Sequence, residues 1–192
     1  MSPAHVGGTP DYRPPIPVSL LRSGMYSASG EPTGSGQVMT QSLLLARPII
    51  FDKNGTLDQV LINLTAVAAS SVVRLGLYAD DGSFYPGALL ADWGVSPGTI
   101  DTSVTTGART ITVSQAVKAL TPYWYAIVAQ GGAPTVGGDN RVFGNIPTAA
   151  QAITAINKGY TQAAVTGALP AQFTTSKTDN TGLGFFVKFR AV

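Results

Sequence analysis

The sequence contains no cysteine, so disulfide bonds and thiol chemistry are excluded. Its single histidine, His5, lies in a stretch rich in proline and glycine. A Ser-His-Asp triad requires a histidine held rigidly beside its nucleophile, and zinc sites require clusters of Cys or His. We therefore expect no catalytic residues and no cofactor, and we interpret the chain as a non-enzymatic protein.

Charge and long apolar runs are also scarce. Charged residues make up 11% of the chain and the formal net charge is +2, with no basic stripe that would follow a phosphate backbone. No apolar run reaches the length of a membrane span. The first residues lack the basic and apolar regions of a cleaved signal peptide. We expect a protein made in a cytoplasm, with neither nucleic acid nor membrane insertion among its interactions.

Residues 1–36 differ in composition from the remainder of the chain. They contain six of the 13 prolines, at positions 3, 10, 14, 15, 17 and 32, together with six glycines. Proline fixes φ and removes a backbone donor, so this stretch should be extended or irregular. Its apolar residues, such as Leu21 and Met25, favour an arm that orders against a neighbouring subunit over a plain disordered tail. We predict an N-terminal anchoring arm at 1–36 and one folded domain at 37–192.

Alternating apolar and polar residues predict strands throughout the domain. Asn54-Gly55 lies between two such runs and predicts a type I′ hairpin with φ > 0 at both residues. Residues 123–129 are apolar on both faces, which predicts a central strand. Residues 148–158 are the only candidate helix, and the wider region 131–182 resembles a long connection that binds something. The expected fold is all-β: an antiparallel β-sandwich with jelly-roll order, and an immunoglobulin-like order as the alternative.

Two sets of residues are candidates for binding. Asp80 and Asp81 are adjacent acids in a predicted turn, where they could hold Ca²⁺ with nearby carbonyls, although a plain turn needs no metal. Aromatic rings can stack on sugars, but Trp124 and its neighbours belong to a predicted buried strand, which favours core packing. Phe84, Tyr85 and Tyr160 fall in predicted loops instead. Those three are therefore the better candidates for contact with a partner or a glycan.

Several segments together resemble surface proteins of tailed bacteriophages. Residues 72–82 read VVRLGLYADDG and residues 85–90 read YPGALL; downstream, residues 120–131 read LTPYWYAIVAQG and residues 165–170 read VTGALP. In this order they resemble tail-fibre, minor tail and head-fibre proteins, over roughly residues 40–192. Gly76, within the first segment, is expected where another backbone or ring approaches closely.

The resemblance implies a location on the virion surface and a structural or adhesive role. It implies attachment to other virion proteins through the arm, receptor binding in which loops contact host-surface glycans, and assembly as a homotrimer. It carries no catalytic motif. The alternatives are a capsid decoration protein without an adhesive role and a free carbohydrate-binding module; an enzyme such as a depolymerase has no supporting pair of acids.

Overall fold

The computed structural model describes residues 18–28, 32–139, 159–175, 178–179, 184–185 and 187–192. Within these ranges the chain forms fifteen β-strands and one short helical turn, Gly94–Gly98. In chain order the strands are β1 (Val18–Ser19), β2 (Tyr26–Ala28), β3 (Pro32–Val38), β4 (Leu44–Phe51), β5 (Gly55–Ala66), β6 (Val72–Asp80), β7 (Pro86–Asp92), β8 (Ile100–Asp101), β9 (Gly107–Val117), β10 (Pro122–Gln130), β11 (Thr135–Asp139), β12 (Tyr160–Gln162), β13 (Thr178–Asp179), β14 (Gly184–Phe185) and β15 (Val187–Ala191).

The strands form two sheets. Sheet I has the order β13-β12-β4-β10-β6-β7, with β1 beside β4 and β8 beside β6. Sheet II has the order β14-β11-β5-β15-β2, with β3 beside β11 and β9 beside β5. Among these strands only β1 and β4 pair in parallel. The predicted all-β sandwich is confirmed, whereas the jelly-roll strand order is not.

The main core lies between the sheets and is built from the inward positions of alternating strands. Phe51 and Tyr125 of sheet I meet Phe189 of sheet II with ring centroids 5.7 and 5.8 Å apart. Leu57, Val60, Ile62 and Leu64 of β5 complete this layer. Edge-to-face contacts of this kind add to the free energy gained by burying the rings themselves.

The two strongest strand patterns are confirmed. β10 lies between β4 and β6 and is buried on both faces, as a central strand should be. At the end of the chain, β15 lies between β5 and β2, with Val187, Phe189 and Ala191 directed into the core. Period-two alternation and a two-sided apolar run thus identified the two strands correctly.

The predicted Asn54-Gly55 hairpin is wrong. β4 belongs to sheet I and β5 to sheet II, so this turn carries the chain from one sheet to the other. Neither residue has a positive φ. Instead the Asn54 Oδ1 atom accepts a hydrogen bond from the Ala119 amide at 2.8 Å, which ties the turn to the connection between β9 and β10. The packing of the two strands on opposite sides of the core overrides the local turn preference.

The described part of the predicted arm contributes strands to both sheets. β1 pairs with β4, β2 with β15, and β3 with β11. Leu21 is 1% exposed and belongs to the main core. No proline occurs between Pro17 and Pro32, so the apolar residues there are free to pair. Residues 1–17, and the candidate helix at 148–158, lie outside the described residues.

Candidate functional site

The structure brings Tyr85 and Tyr160 together, but inside the protein. Their ring centroids lie 4.3 Å apart, and the residues are 2% and 4% exposed. Both belong to a second apolar cluster on the outer face of sheet I, where Phe173 packs edge-on to Tyr85 at 6.0 Å. A sugar ring approaching from solvent cannot stack on rings buried in this way. Two of the three residues expected to contact a ligand therefore serve as core.

Phe84 is the third predicted contact residue and remains half-buried. Its backbone has a φ of 59°, an unusual value for an aromatic residue, and its ring packs against Trp124 at 5.3 Å. Trp124 itself is fully buried, which confirms the prediction of core packing for this strand. Only part of the Phe84 ring is left to meet a partner.

The Asp80-Asp81 pair forms a hydrogen-bonded turn. Asp80 Oδ1 accepts from the Gly82 and Phe84 amides at 2.9 and 3.3 Å, and its Oδ2 accepts from Trp124 Nε1 at 2.9 Å. Asp81 Oδ1 accepts from the Ser83 amide at 2.7 Å. In the part of the chain that the structure describes, no group of three or more acidic or histidine side chains lies together. These hydrogen bonds account for the conformation of the turn.

Residues 163–175, the cover segment, follow β12 and lie across the outer face of sheet I. Tyr78 and Tyr85 donate from their hydroxyls to the carbonyls of Pro170 and Thr174, each at 3.0 Å. Burial raises the pKa of Tyr78, and the nearby Asp92 carboxylate raises it further. The cover segment thus converts the two-layer sandwich into three layers. The sequence indicates this third layer, because the outward residues of β10 are as apolar as the inward ones.

Asp92, at the end of β7, anchors the cover segment to the sheet. Its two oxygens accept from Arg74 Nη1 at 3.0 and 2.9 Å, from the Gly94 amide at 2.9 Å and from the Leu169 amide at 2.8 Å. The side chains of Asp92 and Arg74 are 9% and 13% exposed. One largely buried carboxylate therefore joins β6, β7, the helical turn and the cover segment. Nothing in the local sequence around Asp92 marks this role, because its partners are distant in the chain.

The sequence pattern also does not indicate a second buried charge. Arg47 lies in the middle of β4, within an otherwise apolar run, and is fully buried. Its Nη1 donates to the Phe185 carbonyl at 3.4 Å. A Cβ atom at Gly184 would lie only 1.9 Å from that nitrogen, so glycine is required where the guanidinium passes. The arrangement is structural, since the group does not face solvent.

Four exposed large apolar side chains lie close together in the chain at residues 18–28, the N-terminal corner, which joins sheet I through β1 and sheet II through β2. Leu20 is 57% and Met25 64% exposed, and Val18 and Tyr26 are also exposed. Together with Arg22 and Ser27 they line a surface pocket of about 360 Å³. Clusters of exposed apolar residues are typical of contacts with other proteins.

A polar cluster borders this corner. Arg190 donates to both oxygens of Asp58, from Nε at 3.1 and 3.0 Å, and its guanidinium lies 5.8 Å from the centre of the Tyr26 ring. The Tyr26 hydroxyl donates to Gln59 Oε1. The hydrogen bonds from Arg190 lower the pKa of Asp58, and the same pairing raises the pKa of Arg190. These contacts fix the orientation of Tyr26 at the rim of the pocket.

No protein-family model matches this chain, and no curated protein matches it. Among the described residues, no helix has both the length and the apolar character needed to cross a membrane. The geometry of the described residues is what distinguishes the candidate surfaces. That geometry assigns the buried aromatic cluster to stability and leaves the N-terminal corner as the best candidate for an interaction surface.

Proposed function

We propose that this chain is a non-enzymatic surface protein of a tailed-bacteriophage particle, attached to another virion protein through its N-terminal region. The observation that carries the proposal is the N-terminal corner. It combines firm attachment to both sheets with a concentration of exposed apolar side chains around a pocket. A partner with a complementary apolar surface would bury Leu20 and Met25, and such central apolar anchors provide much of the affinity in protein interfaces.

The arrangement of the resembling segments supports the same proposal. Residues 72–82 and 85–90 form the β6–β7 pair, and residues 120–131 contain the neighbouring strand β10. Residues 165–170 lie in the cover segment, where Tyr78 donates to the Pro170 carbonyl. Segments separated by up to about a hundred positions are thus neighbours in one half of the fold. The resemblance therefore covers one packed unit of the fold, and this supports the proposal more than matches scattered over the fold would.

A capsid decoration role without adhesion is the second candidate. The observation that favours it is the burial of Tyr85 and Tyr160, which removes two of the three aromatic residues expected at a glycan site. Of these three residues only Phe84 leaves part of its ring accessible to a glycan. An adhesive role would then depend on other surfaces, whereas a decoration role needs only the attachment surface.

The test begins with purified particles of the phage that encodes the chain. Mass spectrometry should find the chain in them, and its copy number separates a head protein, present in many copies, from a tail protein, present in few. Leu20→Ser with Met25→Ser should leave folding intact and abolish incorporation. Leu90→Ser with Val104→Ser, two exposed positions away from the corner, is the matched control and should incorporate normally.

Two results would count against the proposal. Absence of the chain from purified particles would remove the virion assignment. Equal incorporation of the Leu20/Met25 variant and its control would remove the corner as the attachment surface. Binding of the intact protein to a glycan array, abolished by Phe84→Ala, would favour the adhesive role over plain decoration.

A further inference from the structure

Strand β9 presents a long open edge. It has 11 residues, about 36 Å of extended chain, and pairs with β5 along its whole length, with one irregularity opposite Asp58. Among the described residues no strand pairs with its other edge. In this part of the chain the backbone groups of that edge therefore have no strand partner.

Several other edges in the described part of the fold are covered or short. Along β7 the cover segment supplies two backbone hydrogen bonds, from the Leu89 amide to the Ala171 carbonyl at 2.9 Å and from the Phe173 amide to the Gly87 carbonyl at 3.0 Å. β2 and β13 have only three and two residues. Covering and shortening are standard protections against edge-to-edge pairing.

β9 lacks these protections and most of the others. It contains no proline, and Arg109 is its only charged residue. The outward side chains along it are exposed, small and uncharged: Ala108, Thr110, Thr112, Ser114 and Ala116. Inward positions such as Val113 and Val117 are buried. Apart from the irregularity opposite Asp58, the strand therefore has a long, weakly charged edge on which strand addition is favourable.

We propose that β9 pairs in antiparallel fashion with β9 of a second copy, so that two sheets II form one continuous sheet across a two-fold axis. A second copy brings an edge of the same length with the same alternation of inward and outward side chains. Pairing of the two β9 strands therefore places the inward side chains of both copies on one face of the joined sheet. On the other face, the Thr and Ser side chains of one copy lie opposite those of the other. Only a register centred on Arg109 would bring like charges together. The inference does not rest on the virion assignment.

The first experiment measures mass by sedimentation equilibrium over a concentration series. The wild-type chain should reach twice its mass of 19.8 kDa. Thr110→Lys with Thr112→Lys places like charges along the shared edge and should weaken dimerisation about tenfold or more. Thr40→Lys with Thr166→Lys adds the same charge at exposed positions outside the strands and should dimerise as the wild type does.

A second measurement needs no variant. Hydrogen exchange of the wild-type protein should show β9 amides that are protected at concentrations where the dimer forms and exchange faster after dilution to the monomer. A monomer at every concentration, a mass three times that of the chain, or a dimer unaffected by the two β9 lysines would each overturn the proposal. The trimer expected from the resemblance is thus distinguished from the two-fold pair.

Discussion

Replacing Asp92 with alanine tests whether one carboxylate holds the third layer in place. The change removes the acceptors for Arg74 Nη1, the Gly94 amide and the Leu169 amide together. Breaking a buried ion pair from one side costs about 3–5 kcal/mol, because the remaining charge is left without compensation. The buried Leu169 amide adds about 1–3 kcal/mol of lost hydrogen bonding. We expect Asp92→Ala to lower the free energy of unfolding by about 3–5 kcal/mol or more, a large share of a typical total of about 5–15 kcal/mol.

Urea unfolding followed by circular dichroism measures this loss as a lower midpoint at an unchanged slope. Asp81→Ala, at an exposed turn position whose side chain accepts from the Ser83 amide, is the control and should lose much less. Arg74→Met combined with Asp92→Leu removes both charges and should recover part of the stability. A loss for Asp92→Ala no larger than that of the control, or a double variant less stable than the single one, would refute the reasoning.

Three further predictions concern other contacts of the same fold. Gly76→Val should destabilise by at least about 1–3 kcal/mol in thermal unfolding, because a Cβ there would lie 2.2 Å from Leu169 Cδ1 and 2.6 Å from the Ala91 carbonyl oxygen; an unchanged melting temperature would contradict the close packing. Tyr85→Phe removes the hydrogen bond to the Thr174 carbonyl and should cost about 0.5–1.5 kcal/mol, with faster exchange at the Phe173 amide than in the wild type as the local readout. The pKa of Asp58 is lowered by Arg190, so its stabilisation is present above the ordinary carboxyl pKa of 3.8 and is lost as pH falls through the lower folded-state value. Asp58→Asn should therefore flatten the decline in melting temperature from about pH 5 to about pH 2, and an identical decline in both proteins would argue against the ion pair.

The strands were predictable where burial alone determines the pattern. β10 is buried on both faces, and its side chains are apolar throughout. β15 is buried on one face, and its side chains alternate between apolar and polar. Gly76 was also predicted correctly as a point of close approach. The Cβ positions show that Leu169 and the Ala91 carbonyl occupy the space a side chain would need.

The candidate site was less predictable because its contacts are long-range. Tyr85 and Tyr160 lie beside turn residues in the sequence, and they therefore resemble exposed loop aromatics. In the structure, however, each ring packs against the other, although the two residues are 75 positions apart in the chain. The Asn54-Gly55 turn failed for a related reason. Local turn preference gives the path of two residues, whereas the choice of sheet for β5 depends on packing against strands far along the chain.

The pairing of β2 with β15 has a consequence for synthesis of the protein. Residues 26–28 leave the ribosome early, but their partner in sheet II, residues 188–190, is made more than 150 positions later. At about 5–20 residues per second, the early strand waits roughly ten seconds or more for its neighbour. During that time Leu21 and the inward face of β5 have no finished core to enter. We expect nascent chains to depend on chaperones, and chains truncated before β15 to be degraded, so that cells accumulate only chains in which both sheets can close.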